Sequence, residues 1–503
     1  MRCQGSHLAM LLLVAFVVGC DEVQRSDRGG RETNSQADGQ LPCDGVPDAG
    51  PAPELTSIWT RQQGVDWPAF LGPTGDSRSP ETGILTGWGD AGPPIVWHHR
   101  VATSYAAPTI SRGRLFLFDR HDPRPGAPGN ARLTCMAAET GEKLWQFEYL
   151  TDYTDQYGYD NGPRCCPVVD DDRVYIRGVE GMLHCLRVMD GALLWTIDLT
   201  QRFGIVQNFF GQGSTPVIEG NLLIVQVGGS PPDANRYDIA NARGNGTGVV
   251  AFDKHTGAIV YQLSDELCSY TSPTLATIDE RRWCFVFARG GLLAFNPADG
   301  ALDFHFAWRS RLLESVNASN PVVIGNRVLI SETYGPGAAL LAVRPGDYDI
   351  VWADDPDERD KTLQTHWNTP VYHDGYVYGS SGRHANEAEL RCVELATGKV
   401  MWSEPGLARS SLLFVDGHFI CLGEYGELLL LKATPEKFDA LAAVVLRADD
   451  DDAVLPELRN APLLRYPAWA APVLSHGLLY LRGPNMLVCC ELIPEETAEQ
   501  GAK

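Results

Sequence analysis

The sequence predicts an all-β fold: a single eight-bladed β-propeller built from four-stranded antiparallel blades. Three observations predict it. A hairpin pattern recurs about every fifty residues, a short Pro-containing motif precedes each hairpin, and one apolar strand stands alone ahead of the first unit.

The hairpin is clearest in CMAAETGEKLW from Cys135 and CLRVMDGALLW from Cys185. It returns as AFDKHTGAIVY from Ala251, AFNPADGALDF from Ala294, AVRPGDYDIVW from Ala342 and CVELATGKVMW from Cys392. In each, a small residue precedes an aromatic by ten positions across a Gly-containing turn. Alternating side chains around a turn whose Gly takes positive φ are the signature of a hairpin, not a helix. The small residue lets neighbouring sheets approach, and the aromatic on the outer strand fills the gap to the next blade. The copy from Ala342 shifts its Gly and must rebuild the turn. Two degenerate copies follow, LLKATPEKFDA from Leu430 and CCELIP from Cys489.

The preceding motif is a small residue, Pro and an apolar pair: Ala107, Cys166, Thr215, Ser272, Asn320, Thr369 and Ala471 each open one copy. The copy at Ser411 lacks the Pro. Pro is tolerated where a strand begins, because no ladder hydrogen bond is lost there. Eight motifs define eight units, but the last ends before an outer aromatic strand. The lone strand PPIVW, ending at Trp97, supplies it and closes the ring, which leaves only each blade's outer edge unpaired.

Ahead of the propeller, Arg2 and the apolar run Leu8 to Val18 form a leader too short to span a bilayer. It ends in VVGC, which resembles a lipoprotein cleavage box and makes Cys20 the lipidated N-terminus. The expected organisation is a signal peptide over 1–19, a lipid-anchored flexible tether over 20–62, the propeller over 63–495 and a tail over 496–503. The tether is rich in Gly, Pro, Asp and Ser and cannot bury enough apolar surface to order itself. The chain is therefore expected to be exported and lipid-anchored on the periplasmic side of a bacterial membrane; Asp21 matches an inner-membrane retention signal. A formal charge of -23 over 503 residues excludes nucleic acid as a partner and confines membrane contact to the anchor.

Candidate binding residues come from the motif register. Three positions before each Pro, or before the Leu412 that replaces it, lie Tyr105, Arg164, Tyr270, Trp367, Arg409 and Trp469, with Gly213 and Ala318 in the other two copies. They are expected to ring the axial opening on one face. Aromatics and Arg are the types enriched at binding hot spots; the alternative is that they seal the loops against one another. Long insertions from Asp119 and Gly228 fall between second and third strands, whose connections share that face. The combination implies a monomer that offers a loop-rich face to a protein, peptide or carbohydrate.

Thirteen cysteines are present. Cys135, Cys185, Cys392 and Cys489 take the small hairpin position that is Ala elsewhere, so they read as small buried hydrophobes. No spacing suggests a metal site. Adjacent Cys165 and Cys166 align with Ala, Ser, Thr or Asn in every other copy, so packing alone accounts for them.

The hairpin AFDKHTGAIVY closely matches the docking signature of pyrroloquinoline-quinone-repeat propellers, and the chain resembles that quinoprotein-alcohol-dehydrogenase-like family from about Val65 to Pro494. The stretch DWPAFLGPTGDSRSPETG from Asp66 is similar to the start of secreted members with no established catalytic role. The family includes quinone-dependent dehydrogenases and the non-catalytic propeller lipoprotein of the outer-membrane barrel-assembly machinery, and fold cannot choose between them. In the dehydrogenases a disulfide between adjacent cysteines roofs the cofactor, which by resemblance marks Cys165 and Cys166 as a vicinal disulfide; that alternative brings PQQ with Ca²⁺. No C-x-x-C-H for covalent haem is present. The expectation is a non-enzymatic binding or scaffold module without cofactor, the alternatives being a quinone-dependent oxidoreductase or a divergent sugar-active propeller.

Overall fold

A computed structural model describes residues 54–122, 127–448 and 460–495. The leader, Cys20, Cys43, most of the tether and the 496–503 tail lie outside the described residues. Eight four-stranded antiparallel sheets follow one another around an axis, each a simple meander except the last. There the order is Ile95–Arg100, Met486–Glu491, Leu478–Arg482 and Val473–Ser475. The N-terminal strand is the outermost strand of the C-terminal blade, and the ring is closed by hydrogen bonds alone. One five-residue helix, Leu199–Phe203, is capped by Asp198 and stopped by Gly204 in a left-handed conformation.

Pro sets where the innermost strands begin. In seven blades the first strand opens one residue after the motif Pro, as in Thr109–Ser111, Val168–Asp170 and Val371–His373. In the blade that carries Leu412 instead, the strand runs Ser410–Val415 and Ser410 pairs with Gly423. Restoring the N–H restores the ladder.

The hairpins dock one blade on the next. Cys135 lies opposite Trp145, Cys185 opposite Trp195, Ala251 opposite Tyr261 and Cys392 opposite Trp402. A one-residue bulge follows each of these pairs, which turns the ring outward. Trp145 Nε1 then donates to the Val188 carbonyl of the following blade at 2.9 Å, Trp352 Nε1 to Leu395 at 2.8 Å and Tyr261 Oη to Pro297 at 2.7 Å. The turn glycines receive these rings. A Cβ on Gly191 would lie 2.5 Å from Trp145, and one on Gly300 2.5 Å from Tyr261; both also have positive φ. The blade from Ala342 departs from the expected register. Its turn shrinks to Pro345 and Gly346, and Leu340 rather than Ala342 faces Trp352.

Two expectations change. Seven of the ten described residues of the insertion from Asp119 are strand: Arg114–His121 and Gly129–Ala137 run long and pair from Arg114 with Ala137 to His121 with Asn130. The packed region also starts ahead of residue 63. Trp59 stacks on His476 at 4.1 Å, Thr60 Oγ1 donates to Glu139 at 2.6 Å, and Arg61 pairs with Glu491. An indole, a hydroxyl and a guanidinium in this short stretch have specific partners on the propeller, which the low apolar content of the tether as a whole concealed.

The stretch from Asp66 closes the far end of the axis. Trp67 exchanges backbone hydrogen bonds with Ile110, Pro68 accepts from Val169, and Ser77 and Ser79 bond to Phe414 across the ring. Trp67 is 1% exposed. Glu81 then holds the turn at His476 and Gly477.

Candidate functional site

With the far end stopped by Phe70 and Leu71, the axial channel is a blind pit of ≈ 350 Å³ that opens on the loop-rich face. All six candidate residues, together with Gly213 and Ala318, line it. The register logic explains this: equivalent positions ahead of eight converging strands must meet around the axis.

The ring is a connected structure. Tyr105 and Trp469 lie 4.7 Å apart between ring centroids, and Trp367 and Trp469 4.5 Å. The Arg409 guanidinium sits 4.3 Å over Trp367, and Arg164 lies 5.5 Å from the Tyr105 ring. Tyr270 accepts the Phe210 N–H at 2.7 Å. Both cations are matched from behind. Arg164 meets Asp155 at 2.9 Å, with that carboxylate 1% exposed. Arg409 and the Trp469 indole N–H share Glu424, which is fully buried. The aromatic rings therefore line the pit while the charges of Arg164 and Arg409 are balanced in its wall; Arg383 and Glu314 line it as well.

Sequence reasoning missed several lining residues. Tyr157 and Tyr159 stand half-exposed on the connection into the Cys166 blade, and Phe210 on the next; Tyr159 lies 5.4 Å from Phe210 and 6.0 Å from Trp469. The runs YGY and NFF in loops otherwise rich in Gly were the available signal. His366 was missed as well. Burial and the charges of Arg409 and Arg383 push its pKa down to about 3, so the imidazole is neutral. The insertion from Gly228 stays beside the pit and walls a separate polar cavity of ≈ 420 Å³ with Glu180 and Gln212.

Beneath the mouth runs a ladder between blades. The backbone N–H of Cys166 donates to Thr215 Oγ1 at 3.1 Å, Thr215 to Ser272 Oγ at 3.0 Å, Ser272 to Asn320 Oδ1 at 2.8 Å, and Asn320 to Thr369 Oγ1 at 3.1 Å. The residue before the Pro is small and polar because it caps the preceding blade's inner edge, whose N–H faces the channel without a strand partner. Cys166 takes the same place for Ala107, whose N–H lies against the thiol. Cys165 points elsewhere, and its thiol donates to the Ser214 carbonyl at 3.3 Å. Both are free thiols in this structure: Cys166 lines the pit, while the Cys165 thiol reaches Ser214 of the next blade.

The residues present do not make the cofactor clamp that the resemblance implied. A Ca²⁺ ion needs several carboxylate or amide oxygens converging on one point, yet Asp155 and Glu424 are each bound by an arginine. Among the described residues no group of three or more His, Cys, Asp or Glu is placed to hold a metal.

The geometry thus defines a PQQ-repeat-type propeller with an aromatic-lined pit on its axis. Residues 129–404 match the family described as outer membrane protein assembly factor BamB, and the chain belongs to that family. Its similarity to BamB of Moranella endobia (strain PCIT) is 22% identity over 284 residues, 55% of this chain and 65% of the relative, so the match spans less than two thirds of that protein. Among solved structures, BamB from Moraxella catarrhalis aligns with a TM-score of 0.51 at 13% identity, over 80% of this chain and 98% of that one. Quinohemoprotein alcohol dehydrogenase from Comamonas testosteroni aligns with a TM-score of 0.58 at 11% identity, over 86% and 81%. At such identities the likeness concerns the fold alone.

Proposed function

We propose that this chain is a non-catalytic scaffold in outer-membrane protein assembly, exported, anchored through Cys20 on the periplasmic side of the membrane and acting as a monomer. It holds a polypeptide partner over the face on which the pit opens. The observation that carries this reading is the ring itself: Tyr105, Arg164, Tyr270, Trp367, Arg409 and Trp469 converge on one opening with their carboxylate partners behind them. Such a wall offers wide aromatic contact with its two ring arginines paired, and membership of the BamB family supports the same reading.

The test is copurification from the native membranes. The intact chain is expected to bring down assembly proteins, and Trp367→Ala with Trp469→Ala to lose them while staying folded, at a cost of about 1–3 kcal/mol for the indole hydrogen bond that Glu424 loses. Retention of the same partners by the double variant would sink the reading. Cys20→Ser is expected to move the chain out of the membrane fraction.

A further inference from the structure

The floor of the pit differs chemically from its mouth. Its walls narrow to Ala107, Cys166, Thr215 and Thr369, and Phe70 and Leu71 close the bottom. Thr215 and Thr369 each give one lone pair to the ladder, Thr215 to the Cys166 N–H and Thr369 to that of Asn320. The Cys166 thiol lies against the Ala107 N–H, and burial pushes its pKa up to about 12, so it carries no charge.

This chemistry discriminates between ligands. A charged group lowered to the floor meets no counter-charge there, and burying it unpaired is costly. A sugar needs many donors and acceptors along its depth, and meets only the few small hydroxyls of Thr215, Thr369 and Ser411 among apolar neighbours. An aromatic side chain needs only apolar surface below and rings beside it, which Trp367, Trp469 and Tyr105 supply. The volume of ≈ 350 Å³ holds such a group but not a folded element, and lies at the small end of ligand pockets, about 300–1,000 Å³.

We infer that the pit is a socket for one uncharged aromatic side chain carried by an extended segment of the partner polypeptide. This rests on the scaffold reading and names what that scaffold grips. Anchoring by one deeply seated aromatic also matches how hot spots concentrate in desolvated pockets.

The experiment uses the full chain titrated with blocked, uncharged tripeptides followed by ligand-observed NMR. N-acetyl-Gly-Trp-Gly-amide and its Tyr counterpart are expected to bind saturably. The Ala counterpart and diacetylchitobiose are expected to bind at least about tenfold more weakly, a difference of ~1.4 kcal/mol. Ala471→Trp, which fills the floor, should abolish the Trp-peptide signal. Because that change crowds the axis, Trp469→Ala provides a second variant, expected to weaken the same peptide about tenfold by removing a wall. Tighter binding of the disaccharide, or Trp-peptide binding indifferent to both variants, overturns the socket. Copurified partners with no response to any peptide would overturn the socket and leave the scaffold; saturable peptides without partners would do the reverse.

Discussion

Trp97, on the strand that opens the propeller, lies opposite Cys489 on the strand that ends it, and its indole N–H donates to the Ala138 carbonyl of the first blade at 3.1 Å. This repeats the pairing of Cys135 with Trp145 and of Cys185 with Trp195. The closing seam therefore uses the same dock as the covalent junctions, with its aromatic drawn from the other end of the chain. Trp97→Ala should remove the contact with Tyr480 as well as this hydrogen bond. A buried Trp truncated to Ala costs about 3–5 kcal/mol. A urea midpoint equal to that of the parent would show that the seam does not depend on this residue.

The inter-blade ladder makes a sharper claim about Cys166. If its thiol serves as a rung, Cys166→Ser keeps an acceptor for the Ala107 N–H and should change stability by less than about 1 kcal/mol. Thr215→Val is nearly isosteric but strands the buried Cys166 N–H, which costs about 1–3 kcal/mol. Thr215→Ser should recover most of that loss. Equal stabilities for the Val and Ser variants would refute the ladder as a source of stability.

How much of this could be read in the chain depended on whether the signal was local. The hairpin from Ala251 carries its turn, its small residue and its aromatic within eleven letters, so the blade followed from periodicity. The ring residues were legible for the same reason, since Tyr105 and Trp469 hold the same register ahead of their motifs. Glu424 was not, because nothing in GEYGE shows that its carboxylate turns inward to Arg409 and Trp469 from another part of the blade. The stretch around Trp67 was also opaque. Its partners Ile110, Val169 and Phe414 lie in three different blades, and such contacts leave no period.

Glu332 gives the fold a pH dependence. Its buried carboxyl has a pKa raised from 4.5 to about 7, chiefly by desolvation, against hydrogen bonds from Ser315 and the Tyr334 N–H. A raised folded pKa favours the protonated form in the native state. The stabilising difference is present in full below the unfolded value and is lost as pH rises through about 7. Glu332→Gln removes that titration. Relative to the parent it should gain up to about 3 kcal/mol between pH 4.5 and pH 8. Melting curves of both proteins across that interval check the slope, and parallel curves would refute the assignment.

The last prediction separates stability from grip at Arg409. A single change, Arg409→Met, strands the buried Glu424 carboxylate, and breaking a buried pair from one side costs about 3–5 kcal/mol. Replacing both partners with apolar residues of similar size is often neutral or better, although here the Trp469 N–H also loses its acceptor, a further cost of about 1–3 kcal/mol. Arg409→Met with Glu424→Leu should therefore be at least as stable as the single variant. Stability is then no longer the reason for a partner to be lost. What the double variant lacks is the guanidinium 4.3 Å over Trp367 and 5.6 Å from the Trp469 ring, with the carboxylate that accepts the Trp469 indole N–H; together they hold two walls of the pit at their spacing. The expected outcome is a folded double variant whose affinity for the Trp tripeptide falls about tenfold, in line with a cation–π and packing contribution of ~1–2 kcal/mol. Undiminished affinity in the double variant would mean that the Arg409–Glu424 pair supports the fold alone, and that the socket is shaped by the rings without it.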